Sequence, residues 1–368
     1  MIIKLSGYSG PYQICALAKE TSVRDDLLAR NLNALYVEGP VATIYPSNTS
    51  FSVAPKEQAL LAASCDYDVF ELRTQGYAYK YYDSSSLDNV ILITNRCNSN
   101  CIMCPTAEII RCRNEEYYTA ELVEIIRHIP DDAPHITITG GEPFLIKTEL
   151  FIVLNYLKKH LPITDFLLLT NGRAFCSREY ADLFVKSMPP NLMLGIPIHG
   201  FDSASHDSIT QSAGSFRQTV QGLRNLQAIH ANIELRIVIS KLNLGFILKI
   251  AELIATEFPH VQSVKFIALE MTGSAAKNKD IVWIDYPTAF TGAKPGIDLL
   301  VRAGIDVALY NFPLCAVDKA YWNICEKSIS GYKVRYASEC ATCQCQDACG
   351  GIFFGTIRLA QADIRPIR

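Results

Sequence analysis

Hydrophobic positions follow two alternating patterns between residues 90 and 270 of this chain. Short, almost wholly apolar runs predict β-strands that are buried on both faces. Runs with apolar residues three and four apart predict amphipathic helices. The predicted strands are Val90–Asn95, Ile136–Thr139, Phe166–Leu169, Leu192–Ile198, Ile233–Ile239 and Val264–Leu269. The predicted helices are Ala120–Ile129, Thr148–Leu161, a helix from its N-cap Ser177 to Met188, Ser215–His230 and Leu244–Phe258.

The alternation predicts an α/β fold. Six strand–helix units with right-handed crossovers would form a partial (β/α)6 barrel, similar to a TIM barrel but two units short of its eight. In such a fold, active groups lie in the loops at the carboxyl ends of the strands. Residues that come directly after the predicted strands are therefore the first candidates for a functional site.

Two flanking regions lack this regularity. Residues 1–88 predict a small β-containing domain, in which the tyrosine-rich segment Gly76–Tyr82 is a candidate edge strand or leader-peptide docking site. Residues 271–368 show weak periodicity and many turns, which is typical of a region organised by metal. We therefore expect three domains, at residues 1–88, 89–270 and 271–368.

The composition narrows the class of protein. The chain has 368 residues, of which 49% are apolar, enough for a substantial core. A formal net charge of −3 gives no electrostatic reason to expect nucleic acid or an anionic membrane surface as a partner. We see no long apolar run and no signal peptide, so the expected location is cytoplasmic.

Cysteine is the most informative residue type. Thirteen cysteines in a long chain without a signal peptide favour metal binding over disulfides. Three of them form one group at Cys97, Cys101 and Cys104, and six lie between Cys315 and Cys349. The remaining four are interpreted as ordinary small apolar residues: Cys15, Cys65, Cys112 and Cys176.

The first group comes after the first predicted strand with the spacing C-x-x-x-C-x-x-C. Three thiolates on one tight loop can hold three irons of a 4Fe–4S cluster and leave the fourth iron open, as a catalytic metal requires. Zinc is the alternative, but the loop lacks a fourth ligand nearby, since Cys112 is eight residues further on.

This loop resembles the signature of the radical SAM superfamily. The resemblance implies that Cys97, Cys101 and Cys104 hold the catalytic cluster and that S-adenosylmethionine (SAM) binds its open iron. One electron from an external donor of the flavodoxin or ferredoxin type would then release a 5′-deoxyadenosyl radical. Met103 departs from the family, which usually has an aromatic residue there, but its thioether could pack on adenine.

Other strand ends carry further candidate SAM contacts. Gly140, Gly141, Glu142 and Pro143 resemble the GGEP motif of the family, which receives the SAM amino group. Asn171 resembles a ribose or carboxylate contact, or is part of a Thr-Asn-Gly turn. Arg236 is a candidate partner of the SAM carboxylate, or a member of a structural ion pair. The last two candidates are His199, for which a polar strand terminus is the alternative, and Glu270, which resembles a SAM-contacting motif loosely.

The second group resembles the C-terminal extension of SPASM and twitch radical SAM enzymes, which carries auxiliary iron–sulfur clusters. The match is partial, because Tyr336 stands at one ligand position and Phe353 at another. The resemblance therefore implies one auxiliary 4Fe–4S cluster. Its ligands would be Cys315, Cys340, Cys343 and Cys349, or a set that includes the Tyr336 phenolate. Cys325 and Cys345 are spare ligands, and a structural zinc knuckle is the alternative for the whole region.

Several segments also resemble maturases of the His-Xaa-Ser peptide system and relatives that form cyclopropanes on Val or Ile. They include Gly214–Arg217, Val282–Asp285 and Tyr310–Cys315. The resemblance implies a ribosomally made precursor peptide as substrate and a new C–C bond on an aliphatic side chain. Two alternatives stay open, a radical SAM enzyme acting on a small molecule and a non-enzymatic iron–sulfur or zinc scaffold.

Overall fold

A computed structural model describes residues 2–112 and 119–368. The first part of the chain forms a seven-stranded sheet in the order β1-β7-β6-β2-β3-β4-β5, in which only β2 and β3 pair in parallel. The strands are β1 (Ile2–Lys4), β2 (Gln13–Ala18), β3 (Ala34–Glu38), β4 (Val41–Tyr45), β5 (Thr49–Ser52), β6 (Val69–Arg73) and β7 (Tyr77–Tyr82), accompanied by α1 (Thr21–Ala29) and α2 (Pro55–Ala62).

The tyrosine-rich strand β7 is not an edge of this sheet. It pairs with β6 on one side and with the short strand β1 on the other. The sequence could not show this, because the three residues of β1 come from the far end of the segment. The backbone of β7 is therefore already paired, and β1 and β5 form the two edges.

The second sheet has eight parallel strands whose spatial order is that of the chain, from β8 to β15. Its strands are β8 (Val90–Leu92), β9 (His135–Thr139), β10 (Asp165–Leu169), β11 (Leu192–Pro197), β12 (Asn232–Ile239), β13 (Ser263–Ala268), β14 (Asp306–Tyr310) and β15 (Cys325–Glu326). The helices after β8 are α3 (Glu108–Arg111), α4 (Thr119–His128), α5 (Thr148–His160), α6 (Arg178–Ser187), α7 (Ser203–Thr210), α8 (Ser215–Gln227) and α9 (Ile247–Glu257). The predicted α/β partial barrel is confirmed.

The sheet is longer than predicted, and it crosses the expected domain boundary at residue 270. Three helices come after β13, namely α10 (Gly273–Lys277), α11 (Lys279–Val282) and α12 (Tyr286–Arg302), and α12 leads into the seventh strand. Pro295 lies inside α12 and glycines flank it, so the helical signal in the sequence is weak. The region after β15 is organised without a large sheet. It contains the antiparallel pair β16 (Val334–Arg335) and β17 (Ile352–Phe353), then α13 (Ile357–Ala360).

Burial alternates along the strands of the parallel sheet. On β12, Ile233, Leu235, Ile237 and Ile239 belong to the main core, while Glu234 and Arg236 point to the opposite, inner face. The same core extends to the first sheet, because Ile14, Val69 and Tyr82 are buried in one cluster with residues of α4. Within the described residues, 2–112 and 119–368, we find no helix long and apolar enough to cross a membrane.

Candidate active site

The loop that carries the first three cysteines lies directly after β8. Backbone hydrogen bonds attach it to the end of α7, from Asn100 N to Thr210 O (3.0 Å) and from Ile102 N to Ile209 O (3.0 Å). Another closes the loop itself, from Cys104 N to Cys101 O (3.1 Å). A neighbouring strand–helix unit thus fixes the path of the loop.

The two glycines of the GGEP segment hold this loop from the other side. Gly141 N donates to Thr94 O (2.7 Å) and Glu142 N donates to Arg96 O (2.7 Å), immediately before Cys97. A Cβ atom would lie 2.4 Å from Thr94 O at Gly140 and 2.2 Å from Arg96 O at Gly141. The close backbone approach expected of these glycines is therefore made to the chain itself.

Glu142 is buried, and its carboxylate is occupied by the chain. Its Oε1 accepts from Thr170 Oγ1 (2.7 Å) and Phe144 N (3.2 Å), and its Oε2 accepts from Asn171 N (2.7 Å). Burial raises the pKa of this carboxyl, and the three hydrogen bonds oppose that effect. Glu142 thus joins the ends of β9 and β10, while Pro143 begins a short 3-10 helix at Pro143–Ile146.

The three thiols lie within each other's electrostatic influence. Burial raises the pKa of Cys97, and it raises the pKa of Cys101 to about 12, with a further contribution from the neighbouring thiols. Thiols in such an environment bind a cationic group more readily than they ionise alone.

Zinc and an iron–sulfur cluster use such thiols differently. Zinc in a structural site takes four ligands at one centre, with Zn–S bonds of about 2.3 Å. A cluster binds each thiolate through a different iron, so three thiols on one loop fit a 4Fe–4S cluster with one open iron.

Asn171 and Met103 have contacts of their own. Asn171 Nδ2 donates to Asn98 Oδ1 (2.7 Å) on the cysteine loop. Gly172, the next residue, has a φ of 73°, as the turn interpretation requires. Met103 is buried with Ile209 and Met271, so its thioether packs in the protein.

His199 lies just beyond β11 and is buried. Burial lowers its pKa to about 3, helped by the adjacent His206 ring, so the imidazole is neutral near pH 7. Its backbone N–H donates to His206 Nδ1 (3.2 Å). Its own Nδ1 is buried and finds no hydrogen-bond partner among the residues described. This nitrogen is therefore available for a ligand.

Arg236 and Glu270 both take part in ion pairs. Arg236 Nη1 lies 2.7 Å from Glu234 Oε1, and its guanidinium lies over the Tyr310 ring. This is the structural ion pair that the sequence left as an alternative. Glu270 Oε1 lies 3.7 Å from Lys333 Nζ, which links the end of β13 to the region of the second cysteine group. Burial raises the pKa of Glu270.

Residues 91–254 match the sequence family described as the radical SAM superfamily. This segment is a radical SAM domain. The prediction of a radical SAM domain is thereby confirmed for this segment, and the three-cysteine loop and the GGEP segment both lie inside the matched range.

Two curated relatives share part of the chain. One is a GTP 3′,8-cyclase from Limosilactobacillus fermentum, 25% identical over 59% of this chain and 62% of its own length. The other is an AdoMet-dependent heme synthase from Methanosarcina barkeri, 27% identical over 53% of this chain and 54% of its own length. The chain thus spans less than two thirds of either relative.

Solved structures share the fold. SuiB of Streptococcus suis bound to the precursor peptide SuiA matches with a TM-score of 0.51 at 14% identity, over 62% of this chain and 49% of that one. SuiB bound to S-adenosylmethionine gives a TM-score of 0.50 at 15% identity, over 62% of this chain and 51% of that one. At these identities the similarity is one of fold.

Outside the radical SAM domain, the second cysteine group lines a small cavity. The cavity is lined by five cysteines: Cys315, Cys340, Cys343, Cys345 and Cys349. Cys325 is absent from its lining, and its Sγ lies 3.5 Å from Tyr321 O as a hydrogen-bond donor. Side chains of Ile352, Ile364 and Ile367 complete a largely apolar wall.

Backbone amides point at two of these sulfurs. Leu314 N and Gly351 N each donate to Cys349 Sγ (3.4 Å), and Ile367 N donates to Cys343 Sγ (3.4 Å). Amide hydrogen bonds to sulfur stabilise thiolates and adjust the potential of iron–sulfur clusters. The thiol-lined cavity with its amide donors fits an iron–sulfur cluster.

Tyr336 lines the same cavity but has its hydroxyl engaged elsewhere. Its OH donates to Cys349 O (3.0 Å). Burial raises the pKa of the phenol, and the Cys349 and Cys340 thiols add to the effect. A protonated phenol that donates to a backbone carbonyl is a poor iron ligand, so the geometry favours the all-thiolate set.

Several functional residues were missed from the sequence. Arg173 Nη1 donates to Asn98 O (2.8 Å) and Ser99 Oγ (3.0 Å), and Arg111 Nη1 donates to Ser99 O on the same loop (3.2 Å). Asp207 caps α8 by accepting from Gly214 N (2.6 Å) and Phe216 N (2.8 Å). An acidic residue shortly before Gly-Ser-Phe is a sequence signal that could have revealed the Asp207 cap. No local pattern singles out either arginine.

Proposed function

We propose that this protein is a radical SAM enzyme that modifies a ribosomally made precursor peptide. The observation that carries the proposal is the placement of the two cysteine groups. Cys97 comes after β8, the first strand of the parallel sheet, and Cys315 comes after β14, the seventh. Both groups therefore begin after the carboxyl ends of strands of one parallel sheet, where the active groups of such barrels lie.

The chain's own residues would prepare this end of the sheet for SAM. Cys97, Cys101 and Cys104 would hold a 4Fe–4S cluster that supplies, when bound, the electron for cleaving SAM to a 5′-deoxyadenosyl radical. The proposed cofactor contacts are backbone groups of the GGEP segment, Asn171 and the free Nδ1 of neutral His199. Buried apolar residues around the loop, including Met103, would exclude water and competing hydrogen donors.

The finer proposal is C–C bond formation on an aliphatic side chain, for example a cyclopropane from Val or Ile. One hydrogen atom leaves the substrate to give 5′-deoxyadenosine, and a second leaves as a proton when the new bond closes. One electron must then leave the substrate. An auxiliary cluster held by Cys315, Cys340, Cys343 and Cys349 would supply its acceptor.

Two observations bear on the substrate. The fold is shared with SuiB, whose structure holds its precursor peptide, and this favours a peptide. The curated relatives are named for GTP and heme, and this favours the alternative, a small molecule. The edges of the first sheet, β1 and β5, offer unpaired strand backbone where a leader peptide could add a strand.

The first test is iron and sulfide analysis after anaerobic reconstitution. We expect about eight irons in the wild type and about four in a variant with Cys97, Cys101 and Cys104 all changed to Ala. SAM cleavage with dithionite should be lost in that variant. If the wild type holds about four irons and the triple variant none, the auxiliary cluster is removed from the proposal. If the wild type binds only zinc, the radical chemistry is contradicted.

The substrate class needs a second test. Incubation with SAM, reductant and a peptide encoded beside the gene should give a product lighter by two hydrogens per event. A product of unchanged mass, or one that gains oxygen, would contradict C–C bond formation. Turnover of a small molecule with no effect of any such peptide would favour the alternative.

A further inference from the structure

Arg111 is a buried arginine beside the first cysteine loop. It ends α3 and is 6% exposed. Its Nη1 donates to Ser99 O (3.2 Å), and its Nη2 donates to Asn100 Oδ1 (2.6 Å) and Ser274 Oγ (3.1 Å). Ser99 and Asn100 lie between Cys97 and Cys101 on the loop, and the bond to Ser274 joins Arg111 to α10. All three partners are neutral.

Among the described residues, no carboxylate supplies the counter-charge of Arg111. In the described residues, no acidic side chain lies within 4.0 Å of its guanidinium, and its Nε is buried without a hydrogen-bond partner. A buried cation is costly unless an anion is close by. Arg111 is held to Ser99 and Asn100, which lie between the proposed ligands Cys97 and Cys101, and both of these thiols are within electrostatic range of its charge.

We propose that Arg111 is a positioning residue whose buried charge balances an anionic iron–sulfur cluster on Cys97, Cys101 and Cys104 and raises its reduction potential. The inference rests on the proposed function, because it requires a cluster at these thiols. It adds a residue that neither the three-cysteine spacing nor the GGEP segment contains.

The direction of the effect is set by charge. Three thiolates make the site anionic, and an added electron makes it more so. A fixed cation therefore stabilises the reduced form more than the oxidised form, which raises the potential. Arg111 is well suited to this because it is buried, so that water and salt screen its charge little.

Arg173 provides a matched control on the same loop. It also donates to loop atoms, Asn98 O at 2.8 Å and Ser99 Oγ at 3.0 Å, and it is joined to Gln218 Oε1 at 2.6 Å. Arg173 is only partly buried, so solvent screens its charge more. Removing it tests the loss of loop hydrogen bonds with a smaller loss of local charge.

The experiment is a redox titration monitored by electron paramagnetic resonance without SAM. The variants are Arg111→Met, Arg111→Lys and Arg173→Met, and the signal of the first cluster is the one that the triple cysteine variant lacks. At a fixed potential, we expect the ratio of reduced to oxidised cluster to fall about tenfold in Arg111→Met, equivalent to 59 mV for one electron. Arg111→Lys should restore most of the wild-type ratio, because it keeps the charge. Arg173→Met should change the ratio less than about threefold.

Two results would overturn the inference. One is a wild-type potential in Arg111→Met, and the other is an equal shift in Arg111→Met and Arg111→Lys. If Arg111→Met takes up no iron, Arg111→Lys becomes the deciding variant. A cluster with a near-wild-type potential in Arg111→Lys supports the role of the charge. Failure of both variants to take up iron assigns Arg111 to loop geometry alone. A wild type without any iron–sulfur signal contradicts the proposed function itself, which is a different outcome.

Discussion

The two cysteine groups lie towards opposite edges of one parallel sheet, and the protein holds them differently. The first is a loop whose backbone is hydrogen-bonded to the ends of neighbouring elements, at Thr94, Arg96 and Thr210. The second is a cavity built from turns that meet beyond the end of β14, where amides point at the sulfurs of Cys343 and Cys349. The first group is therefore held by backbone hydrogen bonds to strand and helix ends, and the second by contacts between its own turns and the residues after β14.

The difference matches two kinds of metal chemistry. A loop with three thiols leaves one iron of a cluster without a protein ligand, as a catalytic site needs. A cavity with five thiols and an apolar wall can ligate every iron and limit solvent access. Under the proposed function, the second group would hold a closed cluster and the first an open one.

The largest effect that tests this difference is expected when the backbone around one group alone is disturbed. Gly141→Ala places a Cβ 2.2 Å from Arg96 O, whereas Gly331→Ala meets nothing within 4 Å. We expect Gly141→Ala to lose the iron of the first group and to lower the free energy of unfolding by about 3 kcal/mol, as overpacking does. Urea unfolding and iron analysis measure both, and a matching loss in Gly331→Ala would contradict the explanation.

The second group can be tested by its ligands. Cys349 receives two amide hydrogen bonds at its sulfur, whereas Cys345 is a spare cysteine of the same cavity. Cys349→Ala should lose about four of about eight irons and keep SAM cleavage, while Cys345→Ala keeps all of them. Equal iron loss in the two variants would show that Cys345 is a ligand.

The two regions should also differ in how their stability changes at acid pH. Burial lowers the pKa of His199 to about 3 and of His206 to about 4, and His206 lies on α7, whose end is hydrogen-bonded to the first cysteine loop. The unfolded chain takes up these protons near pH 6.5, so stability is lost as the pH falls below that value. We expect about 2 kcal/mol per histidine between pH 6.5 and 5. No histidine lies between residues 271 and 368.

Urea unfolding of the apoprotein across this pH range measures the effect. His206→Gln should lose about half of the pH dependence that the pair contributes, and the exposed His260→Gln should keep it. An unchanged slope in His206→Gln would mean that the histidine pair does not set the acid sensitivity.

The smallest effect is expected at Tyr336. Its hydroxyl donates to Cys349 O at 3.0 Å, so Tyr336→Phe removes one hydrogen bond worth about 1 kcal/mol and no iron ligand. Iron content and the spectrum of the auxiliary cluster should stay as in the wild type. A loss of iron in this variant would restore the phenolate to the ligand set.

Sequence patterns predicted the parts of the fold that local signals control. The near-continuous apolar runs from Val90 to Leu269 identified six parallel strands, and Ser177 does cap its helix by accepting from Tyr180 N. The seventh strand escaped because α12 contains Gly and Pro, which hide its helical period. The place of β7 inside the first sheet depends on a distant strand, which no local pattern reveals.

The candidate site was predictable where residue spacing carries the chemistry. The three-cysteine loop and the GGEP segment lie together, whereas the clamp by Arg111 and Arg173 depends on contacts across the chain. The ion pair of Arg236 with Glu234 is a further case, because residues two apart on a strand share a face. Spacing alone could not distinguish that pair from a ligand contact.

The segment Ile364–Ile367 forms part of the wall of the second cavity and has a consequence for metal exchange. It is attached by Gln344 N to Ile367 O (2.9 Å) and by the amide of Ile367 to Cys343 Sγ. Ile364 also packs into the core that the parallel sheet shares. Local openings need less free energy than global ones, so iron held there would be released to a chelator whenever this short segment opens, and mutations that weaken its packing on the sheet would speed that release.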